Sequence, residues 1–171
     1  GPGGTNAITG AAGAWLDSIP MLVISGQVKT DNLVERKDGK PTVRQLGFQE
    51  LNIVDIVKPM TKYAVMIKDK NKIRFHLEKA VYLARNKRPG PVWIDIPLDI
   101  QAAEIDPSKL EGFIPKKESK QNIPMEQIIE KLSKAKRPLL IAGNGIRMAK
   151  GVEILQKVLD KFKINVVTPL F

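Results

Sequence analysis

A chain of 171 residues, 43% hydrophobic and 27% charged, has the composition of a folded globular protein, long enough for one domain or two truncated ones and unlike disordered, collagen-like or low-complexity sequence. Having no cysteine, it can build neither a disulfide framework, a thiolate metal site nor a cysteine nucleophile, which suits the cytoplasm; no apolar run reaches the roughly 18 residues of a membrane span, and no basic signal-peptide start is present. The formal charge of +10 is local, since residues 51–90 hold ten basic and three acidic side chains and residues 91–114 hold one and five; without aromatic interleaving or an RNP-like segment, the excess reads as a solvated helix face and not as a nucleic-acid footprint.

In chain order, Ile8, Ala11, Ala12, Trp15 and Leu16 recur at helical spacing over residues 5–17, the stripe of a buried helix that Pro20 prevents from continuing. Met21 to Ser25 is a short apolar run and predicts a buried strand. Residues 27–46 read as a surface loop with turn chemistry at Asp38-Gly39-Lys40-Pro41. Thr61 to Ile67 predicts a strand, residues 73 to about 87 a helix facing inward through Ile73, Leu77, Ala80, Val81 and Ala84, and Val92 to Ile96 a further buried strand. Helices alternating with short apolar strands imply a doubly wound α/β unit with a parallel sheet. Prolines at 97, 107, 115 and 124 and the run Lys116-Lys117-Glu118-Ser119-Lys120 then mark a linker. A second unit follows as a single βαβ: helix 125–135 with Ile128, Ile129 and Leu132 inward, strand 139–142, a tight turn at 143–145, helix 149–162 and strand 164–168. One βαβ cannot shield both faces of its sheet, and the chain opens on a glycine turn with no preceding strand, so a fragment cut at both ends is expected.

Several motifs carry chemistry, each with a plainer rival. Gly1-Pro2-Gly3-Gly4-Thr5-Asn6 precedes a helix, where glycines permit close backbone approach to a ligand; the rival is a scar left by tag removal. Gly143-Asn144-Gly145 stands between strand and helix as a nucleotide-binding turn does, but Met148 replaces the third glycine of G-x-G-x-x-G and no acidic residue closes the next strand, which disfavours an NAD site. His76, the single histidine, has no evident partner for metal or triad chemistry. Asp95 and Asp99 flank Pro97 at a strand end, where ligands of α/β folds gather, and read as packing or capping groups; Gln49 and Glu50 close the long loop.

Six strings occur in order: residues 1–10, Asp17-Ser18-Ile19-Pro20, Ser25-Gly26-Gln27-Val28, Phe48-Gln49-Glu50, Thr61-Lys62-Tyr63, and Arg88-Pro89-Gly90-Pro91-Val92-Trp93-Ile94-Asp95-Ile96-Pro97. The series resembles the large subunit of acetolactate synthase and its thiamine diphosphate-dependent relatives. It covers residues 1–101 and resumes from about 125, where Arg137 to Gly145 looks like the opening of that family's central domain. The resemblance implies the rear of a pyrimidine-binding domain over 1–101, a linker over 102–124, and the front of a central Rossmann-like domain over 125–171. It implies a carboligase or decarboxylase acting on a 2-oxo acid such as pyruvate, with thiamine diphosphate as electron sink. Such enzymes hold the cofactor between two subunits, so a homodimer or homotetramer is implied, with neither nucleic acid nor membrane as partner.

By the same resemblance Gly1, Pro2, Gly3 and Asn6 approach the aminopyrimidine, Phe48 and Gln49 line the active-site cleft, and Arg88 with Gly143, Asn144 and Gly145 contacts FAD where a flavin is bound. No catalytic side chain and no metal ligand falls within the chain: the activating glutamate and the Mg2+ site are expected outside it, and the fragment alone is expected to be inactive. Two departures, Leu98 where acetolactate synthases usually place lysine before Asp99 and a longer loop from Lys29 to Gly47, favour a relative with another acceptor or 2-oxo acid and leave FAD open. The alternative is a non-catalytic FAD- or ADP-binding regulatory module of the same fold.

Overall fold

The computed structural model describes residues 1–116 and 122–169. It divides into two compact units, Gly1–Lys117 and Glu118–Phe171.

In the first unit the glycine-rich opening winds as a 3-10 turn, Pro2–Ala7, before α1 (Ile8–Leu16) begins. Proline at the first position of that turn suits its fixed φ, and the tighter winding starts the α-helix later than the apolar stripe alone suggests. Helix α1 packs through its small residues, Ala11 and Ala14, whereas Trp15 is 42% and Leu16 74% exposed at its last turn. The stripe expected to be buried is therefore covered at Ile8 and Ala11 but open at Trp15 and Leu16.

Strands β1 (Met21–Gln27), β4 (Tyr63–Met66) and β5 (Pro91–Pro97) form a parallel sheet in the order β1-β5-β4, with Met21 opposite Pro91 and Tyr63 opposite Val92. Between β1 and β4 lie the two-residue strands β2 (Arg36–Lys37) and β3 (Lys40–Pro41) and the short helix α2 (Ile53–Val57). Helix α3 (Ile73–Arg85) returns the chain from β4 to β5, and α4 (Leu98–Gln101) follows β5 directly.

The central strand is buried on both faces, and its alternation separates two cores. Val92 and Ile94 pack with Ile67, Ala80 and Ala84 on the α3 side, while Trp93 packs with Ala11, Ile53 and Val57 on the α1 and α2 side. Helices thus cover both faces, the doubly wound arrangement expected from the sequence. A one-residue slip of β5 would turn Asp95 into the apolar α3 face, where an unpaired carboxylate is prohibitively costly, so the polar residue fixes the register.

The loop after β1 holds more order than its composition shows. Asp38 and Gly39 take φ of 52° and 77°, the paired positive values of a two-residue hairpin turn, and join β2 to β3. Helix α2 is capped by Asn52, whose side chain accepts the Asp55 amide at 3.2 Å.

Beyond α4, residues 102–116 run back over α3. Lys70 Nζ donates to the Glu104 carbonyl at 3.0 Å, the Phe113 amide donates to Glu78 at 2.7 Å, and the Phe113 ring meets Phe75 edge-on with centroids 5.6 Å apart. Much of the stretch read as a linker is therefore strapped to the first unit; residues 117–121 of that stretch lie outside the described ones.

The second unit contains α5 (Met125–Lys134), β6 (Leu139–Ile141), α6 (Gly145–Met148), α7 (Val152–Phe162) and β7 (Asn165–Val167), with β6 and β7 parallel. Among its described residues only Ala142 is a buried hydrophobic, and Ile129, expected to face inward, is 59% exposed. A two-stranded sheet offers too little surface to cover its helices.

Candidate functional site

The opening turn lies over the carboxyl-terminal half of β1 and the middle of β5. An added Cβ at Gly4 would stand 3.7 Å from Ser25, Trp93 and Ile53 alike, so the turn rests on both strands and on α2. At Gly1 an added Cβ would come within 3.2 Å of the Gln49 carbonyl, which puts the end of the long loop against the turn. Gly1, Pro2, Gly3, Ser25 and Gln49 share the wall of an open concavity of about 410 Å3, with Trp93 in its floor. Ligands of open α/β sheets bind at this carboxyl-terminal side of the strands.

Beneath the floor is a fully paired polar network. Trp93 Nε1 donates to Ser25 Oγ at 2.8 Å, Ser25 Oγ donates to one Asp95 oxygen at 2.6 Å, and Gln27 Nε2 donates to the other at 3.0 Å and to the Leu51 carbonyl at 2.6 Å. The Val28 amide closes the set by donating to Gln27 Oε1 at 3.0 Å. Burial pushes the Asp95 carboxyl above its usual range, opposed by the hydrogen bonds from Ser25 and Gln27. Asp95, read from sequence as a packing group, thus supports the concavity from below. Ser25, Trp93 and Gln27 were not singled out as site residues; their signal was the polar Ser25-Gly26-Gln27 end of an otherwise apolar strand.

The loop end is fixed by Glu50. Its carboxylate accepts the amides of Val34 at 2.8 Å, Leu46 at 3.1 Å and Gly47 at 3.2 Å. Burial raises the Glu50 pKa, but these three backbone donors outweigh it and hold the group below its ordinary value. Between Gly47 and Glu50 the chain turns sharply: the Glu50 amide donates to the Gly47 carbonyl at 3.1 Å, and Gln49 takes a left-handed φ of 61°. Phe48 stands 87% exposed beside it and does not line the concavity. Asp99 accepts the Thr30 amide at 3.0 Å and hydroxyl at 2.5 Å, tying the start of the same loop to α4; the Thr30 hydroxyl foremost keeps its pKa low.

Other residues named from sequence lie apart. Asn6 is exposed on the opening turn, outside the lining. Arg88 sits at the opposite, amino-terminal edge of the sheet, donating through Nε to Ser18 Oγ at 2.7 Å. With Trp15, Leu16 and Lys62 it lines a separate cavity of about 260 Å3. Lys62 Nζ donates there to the Asn86 and Arg88 carbonyls at 2.5 and 2.8 Å, and burial, then Lys87, lowers its pKa. His76 pairs its Nδ1 with the Tyr63 hydroxyl at 2.6 Å; burial, then Lys79 and Lys72, depress its pKa. In the second unit Gly143 and Asn144 line a concavity of about 420 Å3 with Arg147 and Thr168. An added Cβ at Gly143 or Gly145 would meet nothing within 4 Å, so packing inside the unit does not demand these glycines.

The sequence is similar to that of known proteins. The family described as "Thiamine pyrophosphate enzyme, N-terminal TPP binding domain" matches residues 1–56, the turn, β1, the loop and α2, and a family described as "CO dehydrogenase beta subunit/acetyl-CoA synthase epsilon subunit" matches residues 101–171. The acetolactate synthase large subunit of Lactococcus lactis is 38% identical over 99% of the chain and 28% of its own length. That of Corynebacterium glutamicum is 38% identical over 99% of the chain and 26% of its own length. The glyoxylate carboligase of Escherichia coli O157:H7 is 35% identical over 99% and 27%. The chain therefore spans little more than a quarter of the relatives it matches.

Proposed function

Starting from a chain that is an acetolactate synthase-like segment of thiamine pyrophosphate enzyme sequence, we propose that its first unit forms the pyrimidine-side wall of a thiamine diphosphate pocket. The observation that carries this reading is the convergence of the opening turn, Ser25 and Gln49 on one concavity within the stretch that matches the TPP binding domain. The residues suit the group: an added Cβ at Gly3 would meet nothing within 4 Å, so that glycine leaves room for a ligand without serving the packing. The volume of about 410 Å3 lies within the usual range of small-molecule sites.

When bound, thiamine diphosphate supplies the electron sink for decarboxylation of a 2-oxo acid and transfer of the remaining fragment to an acceptor. Gly1, Pro2 and Gly3 would hold the cofactor's heterocycle by backbone approach, with Asn6 on the same turn. Trp93 and Ala7 would help to exclude water from the site. Gln49 orients a polar substrate through an amide that does not titrate, and the exposed Phe48 ring shields the substrate side. By resemblance to thiamine diphosphate-dependent enzymes, Mg2+ and the activating carboxylate would be supplied by residues other than those named here. By the same resemblance, a homodimer or homotetramer would share the cofactor between copies.

Pyruvate or glyoxylate as the 2-oxo acid fits the activities that the relatives' names carry. Leu98, 53% exposed at the start of α4, offers no cation to a second substrate's carboxylate and favours an acceptor other than pyruvate. Arg88 and the Gly143-Asn144-Gly145 turn, each within its own unit, are assigned to flavin by resemblance.

The test is carbon dioxide release by the full-length protein from pyruvate and from glyoxylate, with and without thiamine diphosphate and Mg2+. Turnover should require the cofactor with at least one substrate. Turnover indifferent to the cofactor, or none with either acid, overturns the reading.

A further inference from the structure

We propose that Glu50 is a positioning residue for Gln49, acting as a clasp that joins both stems of the hairpin excursion and so keeps motion of the hairpin from displacing the pocket wall. The proposal rests on the reading of the concavity given above.

The geometry has three parts. The excursion leaves the body of the unit at Val34 and returns at Leu46, with β2 and β3 between. One carboxylate oxygen of Glu50 accepts the outgoing stem at Val34, and the other accepts the returning stem at Leu46 and Gly47. Charge-assisted bonds from three amides to one carboxylate are stronger than neutral ones and close the loop at its neck. Gly47 is wedged below: an added Cβ there would stand 2.7 Å from the Asn32 carbonyl and 3.0 Å from Val28. Gln49, between wedge and clasp, adopts a φ of 61°, which a non-glycine residue keeps only where its surroundings over-determine it. Its carbonyl faces the opening turn in that conformation. Thr42 Oγ1 joins the stems nearer the tip by donating to the Glu35 carbonyl at 3.0 Å, and Arg36 pairs with Asp55 of α2 at 2.9 Å, so Glu50 is the bond between the stems that lies next to Gln49.

The experiment is a double-mutant cycle in the full-length protein with Glu50→Ala and Gln49→Ala, read as kcat/KM for the 2-oxo acid, with thermal unfolding as a check of folding. If Glu50 acts through Gln49, Glu50→Ala lowers kcat/KM about tenfold alone and less than about twofold in the Gln49→Ala background. Glu50→Gln, which offers one acceptor oxygen in place of two, should fall between wild type and alanine and serves if the alanine variant does not fold. Backbone hydrogen exchange at Val34, Leu46 and Gly47 should accelerate in step with the loss. Costs that multiply independently, or unchanged exchange at those amides, overturn the proposal. An inactive wild type would instead sink the reading of the pocket, a result distinguishable from either.

Discussion

Two carboxylates in this unit respond to pH in opposite senses. Asp95, its folded pKa raised by burial, favours the folded state most when protonated, so its contribution is complete below its unfolded pKa and fades as pH rises through the folded value. Glu50, its folded pKa lowered by three amides, contributes above its unfolded pKa and loses that contribution as pH falls through the folded value. Asp95→Asn should set an amide donor against Gln27 Nε2, which already donates to Leu51; unfolding in urea should show a loss of about 1–3 kcal/mol at neutral pH, widening as pH falls toward the unfolded pKa of Asp95, where protonation stabilises the wild type alone. An unchanged midpoint would show that the network is not paired as described. Two glycines make a second contrast. Gly47→Ala forces a methyl onto a backbone carbonyl and should destabilise by about 1–3 kcal/mol. Gly3→Ala meets no protein atom, should leave the thermal midpoint in place, and should weaken thiamine diphosphate binding about tenfold by calorimetric titration of the full-length protein. Equal effects of the two on stability would remove the distinction between packing glycine and ligand glycine.

Among elements, periodicity found β5 because burial on both faces leaves a continuous apolar run, Val92-Trp93-Ile94; the run at Met21–Ser25 also proved a strand, but not the buried one expected, since Leu22 and Ile24 are 37% and 55% exposed on one face of β1. It found α3 through Ile73, Leu77, Ala80 and Ala84, although Val81, read on the same face, is 45% exposed; it missed α2, whose five residues are too short a run, four of them apolar, to show a helical period, and of which Ile53 and Val57 are buried. The segment 102–116 shows the limit in the other direction. Its prolines and charges read as a linker, yet Phe113 inserts between Phe75 and Tyr82, with centroid distances of 5.6 and 5.5 Å, a contact that local composition cannot reveal. Phe113→Ala should therefore lower the stability of the first unit by about 1–3 kcal/mol in denaturant unfolding, since a partly buried aromatic loses less than a core one. A change within error would mean that the segment is a tether after all.

At the scale of the whole molecule, the sequence by itself carried what is repeated or ordered along the chain: alternating helix and strand periods gave a doubly wound parallel class, and six strings in order pointed to the likeness with thiamine pyrophosphate enzymes that the family match over residues 1–56 and the acetolactate synthase relatives support. Those signals survive because they depend on neighbours in the chain. The tertiary structure decided which of the named residues meet. It placed Gly1, Pro2, Gly3 and Gln49 on one concavity and Arg88 at the far edge of the sheet. It also put Trp93 and Asp95 beneath the pocket and made Glu50 the neck of a hairpin. Each of those decisions joins residues distant in sequence, such as Ser25 with Asp95 or Gly1 with Gln49. The strand order β1-β5-β4 makes such neighbours by crossing over; a one-dimensional pattern carries no term for a distance that only the closed sheet defines.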